Sequence, residues 1–336
     1  MATTLVIRLS SLGDIAIAVP VVYSVAKKYP DDHFLFLTGG AWESLFIHKP
    51  DNLTIIPVYT RGKHKGIRGI LRLLGELSPF IRGKELKVAD LHGVIRSFLI
   101  DYHYRFRGYP VAIIDKGRKE KRQLVRPEKK IMQPLKTSID RYREVFEKSG
   151  YDSSLSFTGL FPEKPVKEQK IIGIAPFAKH RGKMYPLDQM EEVISRLSEL
   201  PNLQIMLWGA KDERRLLELW ASQYPNVTCV AGQLSLPEEL SLMNQMNLMV
   251  SMDSANMHLA SLVNTPVISI WGATHPFAGF YGFNQEPSNA VQIDLPCRPC
   301  SVFGNKPCFR GDYACLKQIA PEKIVGKIKE ALGTAR

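Results

Sequence analysis

Asp14 closes the turn Ser10-Ser11-Leu12-Gly13-Asp14, directly after an apolar strand, Thr3 to Leu9, that Arg8 interrupts. A carboxylate at the carboxyl end of a strand in an α/β protein stands where ligands bind. There it can take a proton from a hydroxyl, work worth about 10²–10⁴ in rate. The same side chain can instead cap the helix that follows. A second polar group lies in LMVSMDSANMHLASLVNTPVISIWGATHP, Leu248 to Pro276. Asp253 and Ser254 stand where a helix begins, with Ala255 as its first residue and His258 one turn in. The next strand, Pro266 to Ile270, ends in a further turn, Gly272 to Pro276. Two turns at the carboxyl ends of adjacent parallel strands, one opening a helix, suit an anion such as a diphosphate. An ordinary α/β unit with a capped helix has the same spacing. Lys183, in GKMYP, can neutralise a phosphate. Glu213, after WGA, can hold a ribose hydroxyl or favour the dipole of its own helix.

These residues need elements to position them, and the apolar pattern supplies an alternation of strands and helices. Helices are expected at Ile15 to Tyr29, Gly66 to Leu77 and Ser138 to Ser149, with strands at His33 to Leu37, Leu53 to Tyr59, Leu86 to Leu91 and Val111 to Ile114. In the helix from Gly66, Ile67, Ile70, Leu71 and Leu74 share one face and Arg68 and Arg72 lie elsewhere. Lys116 to Lys130, KGRKEKRQLVRPEKK, reads as a mobile basic loop. Gly150 to Gln169 has no clear period and marks the domain boundary. The pattern then restarts: strands at Lys170 to Ala175, Gln204 to Trp208 and Val227 to Val230 alternate with helices at Leu187 to Leu200, Lys211 to Tyr224 and Pro237 to Gln245. A final helix, Pro321 to Leu332, closes the chain. The expected fold class is α/β, two doubly wound Rossmann-like domains with a cleft between them.

At 336 residues the chain is long enough for two such domains with buried cores. No apolar run approaches the roughly 20 residues that span a bilayer, and the first strand is too short for a signal peptide. A soluble, cytoplasmic protein is the expectation. The net charge of +12 sits in one place: Arg61 to Lys130 holds 19 Lys and Arg against 7 Asp and Glu, and the remainder is balanced. Such a field favours phosphates on a nucleic acid, an anionic membrane or a phosphorylated substrate. The segment has no interleaved stacking aromatics and no nucleic-acid module, which ranks nucleic acid low.

Taken together, SSLGDIAIAVPVV, DLHGVIRS at Asp90 to Ser97, K-x-Y-P at Lys183 to Pro186, WGAKDE at Trp208 to Glu213 and the DSANMH and WGATHP block resemble, in order, the ADP-heptose:lipopolysaccharide heptosyltransferases, glycosyltransferase family nine. The resemblance runs from Thr3 to the final helix. It implies the GT-B fold: an acceptor-binding Rossmann-like domain over residues 1–160, a nucleotide-sugar-binding one over 161–320, and a helix over 321–336 crossing back to the first. It implies inverting, metal-independent transfer of a heptose from ADP-heptose to a phosphorylated lipid A–core acceptor, by an enzyme peripherally associated with the cytoplasmic face of the inner membrane. Asp14 is then the base, with Ser10 and Ser11 beside it. Lys183 contacts the diphosphate or ribose, Glu213 the ribose, and Asp253, Ser254, Ala255 and His258 the sugar and phosphates. Arg96, in DLHGVIRS, joins the acceptor side. Lys63, Lys65, Arg68, Arg118, Lys119 and Lys121 form its contact with an anionic membrane.

Two departures stand out. The family block commonly reads D-T-G or D-S-G, whereas Ala255 adds a methyl where backbone approaches ligand; Tyr185 replaces Trp in K-x-W-P. Cys297, Cys300, Cys308 and Cys315 share one Pro- and Gly-containing loop. They read either as a structural zinc site, apart from catalysis, or as free thiols; disulfides do not suit a reducing cytoplasm. A non-catalytic sugar-nucleotide or lipid-binding relative is the alternative function, and the intact Asp14 argues against it.

Overall fold

The computed structural model describes residues 2–165 and 169–334, which form two compact units. In chain order the first half carries β1 (Ala2–Ile7), α1 (Leu12–Lys28), β2 (His33–Gly39), β3 (Leu53–Val58), α2 (Gly66–Ile81), β4 (Glu85–Asp90), α3 (Ile95–Phe106), β5 (Val111–Ile113), α4 (Arg118–Leu124) and α5 (Ser138–Lys148). The five strands form one parallel sheet in the order β3-β2-β1-β4-β5. Ile7 pairs with Leu37 on one side and Asp90 on the other, which sets the two central strand ends level. The central strands read as near-continuous apolar runs because helices cover both faces. Helices α2 and α3 pack on one another, and α1 packs with α5.

The second half carries β6 (Lys170–Ala175), α6 (Leu187–Ser198), β7 (Leu203–Leu207), α7 (Arg214–Ala221), β8 (Val227–Cys229), α8 (Leu236–Asn244), β9 (Leu248–Met252), α9 (Ala255–Leu262), β10 (Val267–Ile270), β11 (Ala290–Val291), α10 (Ala314–Lys317) and α11 (Pro321–Ala331). Its parallel sheet runs β11-β10-β9-β6-β7-β8. The core lies between this sheet and its helices, with Ile205, Val250, Ile268 and Leu217 all fully buried.

The units are not cut at the expected domain ranges. Unit 1 comprises residues up to Gly117 together with Ser138–Leu160, and Arg118–Thr137 groups with the second unit. The basic stretch expected as a mobile loop contains α4, held by Leu124, which is fully buried, and by the Lys121 ammonium 4.3 Å from the ring of Phe280. Its continuation is tied by Leu135 N–H to Phe277 O and by Lys130, whose ammonium donates to the carbonyls of Cys297 and Pro299. At the other end, the 321–336 segment carries α11, which packs along α6. Ile324, Val325 and Ile328 complete the second unit's core there. Ala335 and Arg336 of that segment lie outside the described residues, as do 166–168 within the expected boundary.

Ile205 is central, pairing with Ile172 and Val227 across β7, so truncation leaves a void that its rigid neighbours cannot close. Ile205→Ala is expected to lower stability by about 2–5 kcal/mol in urea unfolding.

Candidate active site

In a doubly wound sheet, the loops at the point where the winding reverses leave in opposite directions and open a crevice at the strand ends. In the first unit that point lies between β1 and β4. The turn carrying Asp14 follows β1, and the Leu91–Val94 loop follows β4. Arg8, just ahead of the Ser10–Asp14 turn, is the link. It is buried; one guanidinium nitrogen donates to Leu91 O at 2.8 Å and another reaches Asp14 Oδ2 at 2.6 Å. The Ser11 hydroxyl and backbone N–H also donate to Oδ2, at 2.7 and 3.2 Å. Asp14 therefore does cap α1, and it does so with one oxygen. Among the described residues the hydrogen bonds and ion pair of this carboxylate all fall on Oδ2, and the side chain keeps 28% of its exposure. Burial alone would push this carboxyl up. The Arg8 charge and the two Ser11 hydrogen bonds outweigh it and hold the carboxyl below its usual value, so it is a carboxylate at neutral pH.

The β4 loop is built on a second carboxylate. Asp90 accepts the N–H groups of His92 and Gly93 at 2.7–3.0 Å. Asp101 of α3 lies close to it, and burial together with the Asp90 charge pushes the Asp101 carboxyl up to about 9, so that it stays protonated at neutral pH. Burial, then the charges of Arg8 and Lys116, push His92 down to about 3. His92 is thus neutral, and its Nδ1 faces Leu9 N–H at 3.4 Å. Arg8 and His92 were not singled out by motif. The signal for Arg8 was a charge inside an apolar strand, one residue from its end, which burial must pair with something.

In the second unit the winding reverses between β6 and β9, whose ends are level at Ala175 and Ser251. Lys183 lies in the loop after β6, and its ammonium meets Asp253 Oδ2 at 2.9 Å. Asp253 is buried and follows β9 directly. Ser254 is the N-cap residue of α9, yet its hydroxyl is 3.1 Å from Ser251 Oγ and makes no hydrogen bond to the helix N–H groups. The start of α9 is left without a side-chain cap, next to an ammonium that Asp253 holds in place. That pairing of helix dipole and cation is suited to a diphosphate. Ala255 lies inside the helix, where alanine is a better former than glycine, so only the added methyl distinguishes it from the family pattern. His258 is buried one turn along.

The neighbouring turns are fixed by the backbone. Ala273 N–H donates to Gly182 O at 2.8 Å, and a Cβ on Gly182 would lie 2.9 Å from Gly304 O, so no larger residue fits beside Lys183. Arg298, also missed in the sequence, is buried and donates to the carbonyls of Gly272, Thr274 and Ile293 and to Gln292 Oε1. It pins the turn after β10 and uses its fork doing so. Tyr185, where the family pattern has Trp, is fully buried with its hydroxyl 2.6 Å from Ile319 O. Glu213 caps its own loop, accepting Ala210 N–H at 2.7 Å, and burial pushes its carboxyl up.

The expected acceptor cations are not one array. Lys65, Arg68, Arg118 and Lys119 are exposed and Arg96 is half-buried. Lys63 is paired with Glu76 at 2.9 Å. Lys121 is buried over Phe280, which removes it from any surface contact. The cysteines are free, and the structure does not support a zinc site: among the described residues no three His, Cys, Asp or Glu side chains are arranged to hold a metal ion. Cys297, Cys300, Cys308 and Cys315 do line one small cavity. Burial pushes the Cys300 thiol up and that of Cys315 to about 11.

Two Rossmann-like parallel units, one offering a positioned carboxylate and the other an open helix start beside a lysine, are the make-up of a GT-B glycosyltransferase. Residues 114–306 match glycosyltransferase family 9 (heptosyltransferase), and the chain belongs to that family. It is similar to lipopolysaccharide heptosyltransferase 1 of Campylobacter coli, with 24% identity over 98% of each chain. Among solved structures, a family 9 glycosyltransferase of Veillonella parvula superposes with a TM-score of 0.76 at 17% identity, covering 98% of this chain and 97% of that one. An E. coli heptosyltransferase with ADP-2-deoxy-2-fluoro heptose gives 0.69 at 19%, covering 98% and 99%.

Because Asp14 titrates below its unfolded value, its stabilising contribution is present above the unfolded carboxylate range and is lost as pH falls through the lowered folded value. Arg8→Gln removes the main opposing charge. The Asp14 carboxyl is then expected to titrate about 1–3 pH units higher, as followed by carboxyl-carbon NMR.

Proposed function

We propose that this protein transfers a heptose from ADP-heptose to a hydroxyl of a phosphorylated lipopolysaccharide inner-core acceptor, with inversion and without a catalytic metal. The observation that carries the reading is Asp14: Arg8 and Ser11 hold one oxygen, and the side chain remains partly exposed. In the proposed step, Oδ1 accepts the proton of the acceptor hydroxyl as that oxygen bonds to the anomeric carbon and ADP departs with the electrons of the broken glycosidic bond. The held Oδ2 keeps the carboxylate from rotating away, and the Arg8 charge keeps it ionised between turnovers. Negative charge grows on the departing diphosphate, where Lys183 and the α9 N–H groups receive it. This cationic work is the part a divalent ion performs in metal-dependent transferases. Asp253 fixes the lysine, and Glu213, Ser254, Ala255 and His258 complete the donor side, with Glu213 directed to the ribose.

Support for the donor and acceptor comes from family membership and from the names of the relatives. Ser10, Ser11 and Arg96 are the proposed contacts of the acceptor core, and Lys65, Arg68, Arg118 and Lys119 those of its phosphates or of the anionic inner-membrane surface around it. Lys63 adds less, since Glu76 offsets its charge.

Asp14→Asn keeps the shape and removes the base. Turnover of ADP-heptose on an inner-core acceptor is expected to fall about 10²–10⁴-fold, with ADP affinity by calorimetry unchanged. Retained turnover would sink the base assignment. Calorimetry with ADP, UDP, GDP and CMP is expected to favour ADP, and Lys183→Ala to weaken it about tenfold or more. A preference for another nucleotide would keep the reaction and change the donor.

A further inference from the structure

The first unit leaves an apolar ridge in water that neither its core nor its site uses. Along α3, Ile95, Phe98, Leu99, Tyr102 and Phe106 are exposed, Ile95 at 82%, Tyr102 at 70% and Phe106 at 80%. At 3.6 residues per turn these five fall within an arc of about 100°. The buried residues of the helix, Ser97, Ile100, Asp101 and Tyr104, occupy the opposite side. The helix therefore packs on the sheet by one face and presents a second apolar face outward. The Tyr102 and Phe106 rings stack at 6.4 Å. On the neighbouring α2, Ile67 and Leu71, one turn apart, are also exposed, although the pattern of the sequence groups them with the buried Ile70 and Leu74.

The charges beside the ridge are of one sign. Arg96 and Arg107 lie on one flank of α3 and Arg105 on the other, while its single acid, Asp101, is buried. On α2, Arg68 and Arg72 are exposed, and the one acid, Glu76, is matched by Lys63. A convex stripe of aliphatic and aromatic side chains with cations on both sides is the pattern of a helix lying in a bilayer interface: apolar groups enter the acyl boundary and guanidinium groups meet lipid phosphates. A second copy of the chain fits less well, because a two-fold contact through this ridge would set the arginines of one copy against those of the other. Among the described residues no helix is long and apolar enough to cross a membrane.

We propose that α3, with Ile67 and Leu71 of α2, docks the protein on an anionic lipid bilayer by shallow insertion of this ridge. The proposal deepens the reading of a lipid-borne acceptor and takes its purpose from it. Its test needs no acceptor. Flotation is run with vesicles of phosphatidylcholine alone and of phosphatidylcholine mixed with phosphatidylglycerol. Wild-type protein is expected to float with the mixed vesicles and not with the neutral ones. The triple variant Phe98→Ser, Tyr102→Ser, Phe106→Ser is expected to lose binding by about tenfold or more while keeping the wild-type circular dichroism spectrum and a cooperative urea transition of the first unit, which shows that unit folded. Arg105→Gln with Arg107→Gln is expected to weaken binding and flatten its salt dependence. Phe106→Trp supplies a second readout: the emission it adds should move to the blue on mixed vesicles and be quenched by brominated acyl chains.

Equal flotation of the triple variant and wild type would overturn the proposal, as would indole emission in the Phe106→Trp variant that is unmoved by vesicles the protein binds. Vesicle-independent dimerisation that the triple variant abolishes would assign the ridge to a second copy instead. Loss of turnover on a lipid acceptor with vesicle binding intact would count against the acceptor reading and leave this surface standing.

Discussion

A parallel sheet sends every crossover back over one of its faces, so its functional loops collect at one edge, and only a reversal of winding separates two of them enough to admit a ligand. Both units of this protein obey that constraint. Everything chemical follows from which residues come directly after the two central strands of each sheet. In the first unit these are the Ser10–Asp14 turn and the Asp90–Val94 loop; in the second, the Lys183 loop and Asp253-Ser254. The rest of each unit keeps those strand ends level.

Charge at these ends is managed by pairing. Arg8 and Asp14 are each costly to bury alone, and together they hold a carboxylate in one rotamer with one oxygen occupied. Asp90 and Asp101 avoid a like-charge conflict differently: Asp101 is held protonated by burial and the Asp90 charge, while Asp90 accepts the backbone N–H groups of the β4 loop. Lys183 and Asp253 form the corresponding pair in the second unit. A lysine so held is already oriented, and the helix start beside it offers directional N–H groups that need no rearrangement to meet an anion.

Much of this was legible in the sequence. Apolar runs marked the central strands, and polar turns marked where those strands end, because burial on both faces leaves little freedom in composition. What was not legible depends on contacts distant in sequence. Arg8 reads as a blemish in a strand until Asp14 and Leu91 are beside it. Arg298 lies in a loop without periodicity, and its role depends on four oxygens from two turns. Lys121 counts as surface charge in any local reading, yet Phe280 covers it. The two-residue β11 is too short for any period to show. On α2 the pattern placed Ile67 and Leu71 correctly on an apolar face, but periodicity cannot say how much of that face the sheet covers.

The grouping of Arg118–Thr137 with the second unit has a consequence for dissecting the gene. Neither unit is a single stretch of chain: the polypeptide passes from one to the other after Gly117, after Thr137 and after Leu160. A fragment starting at Phe161 would therefore lack α4 and its continuation. It would expose the ring of Phe280, leave the Phe277 carbonyl without Leu135 and strip Lys130 from the loop that Arg298 anchors. To isolate the second unit intact, the 118–137 segment has to be grafted onto it, for instance ahead of Phe161 through a short linker, rather than cut away at the conventional boundary.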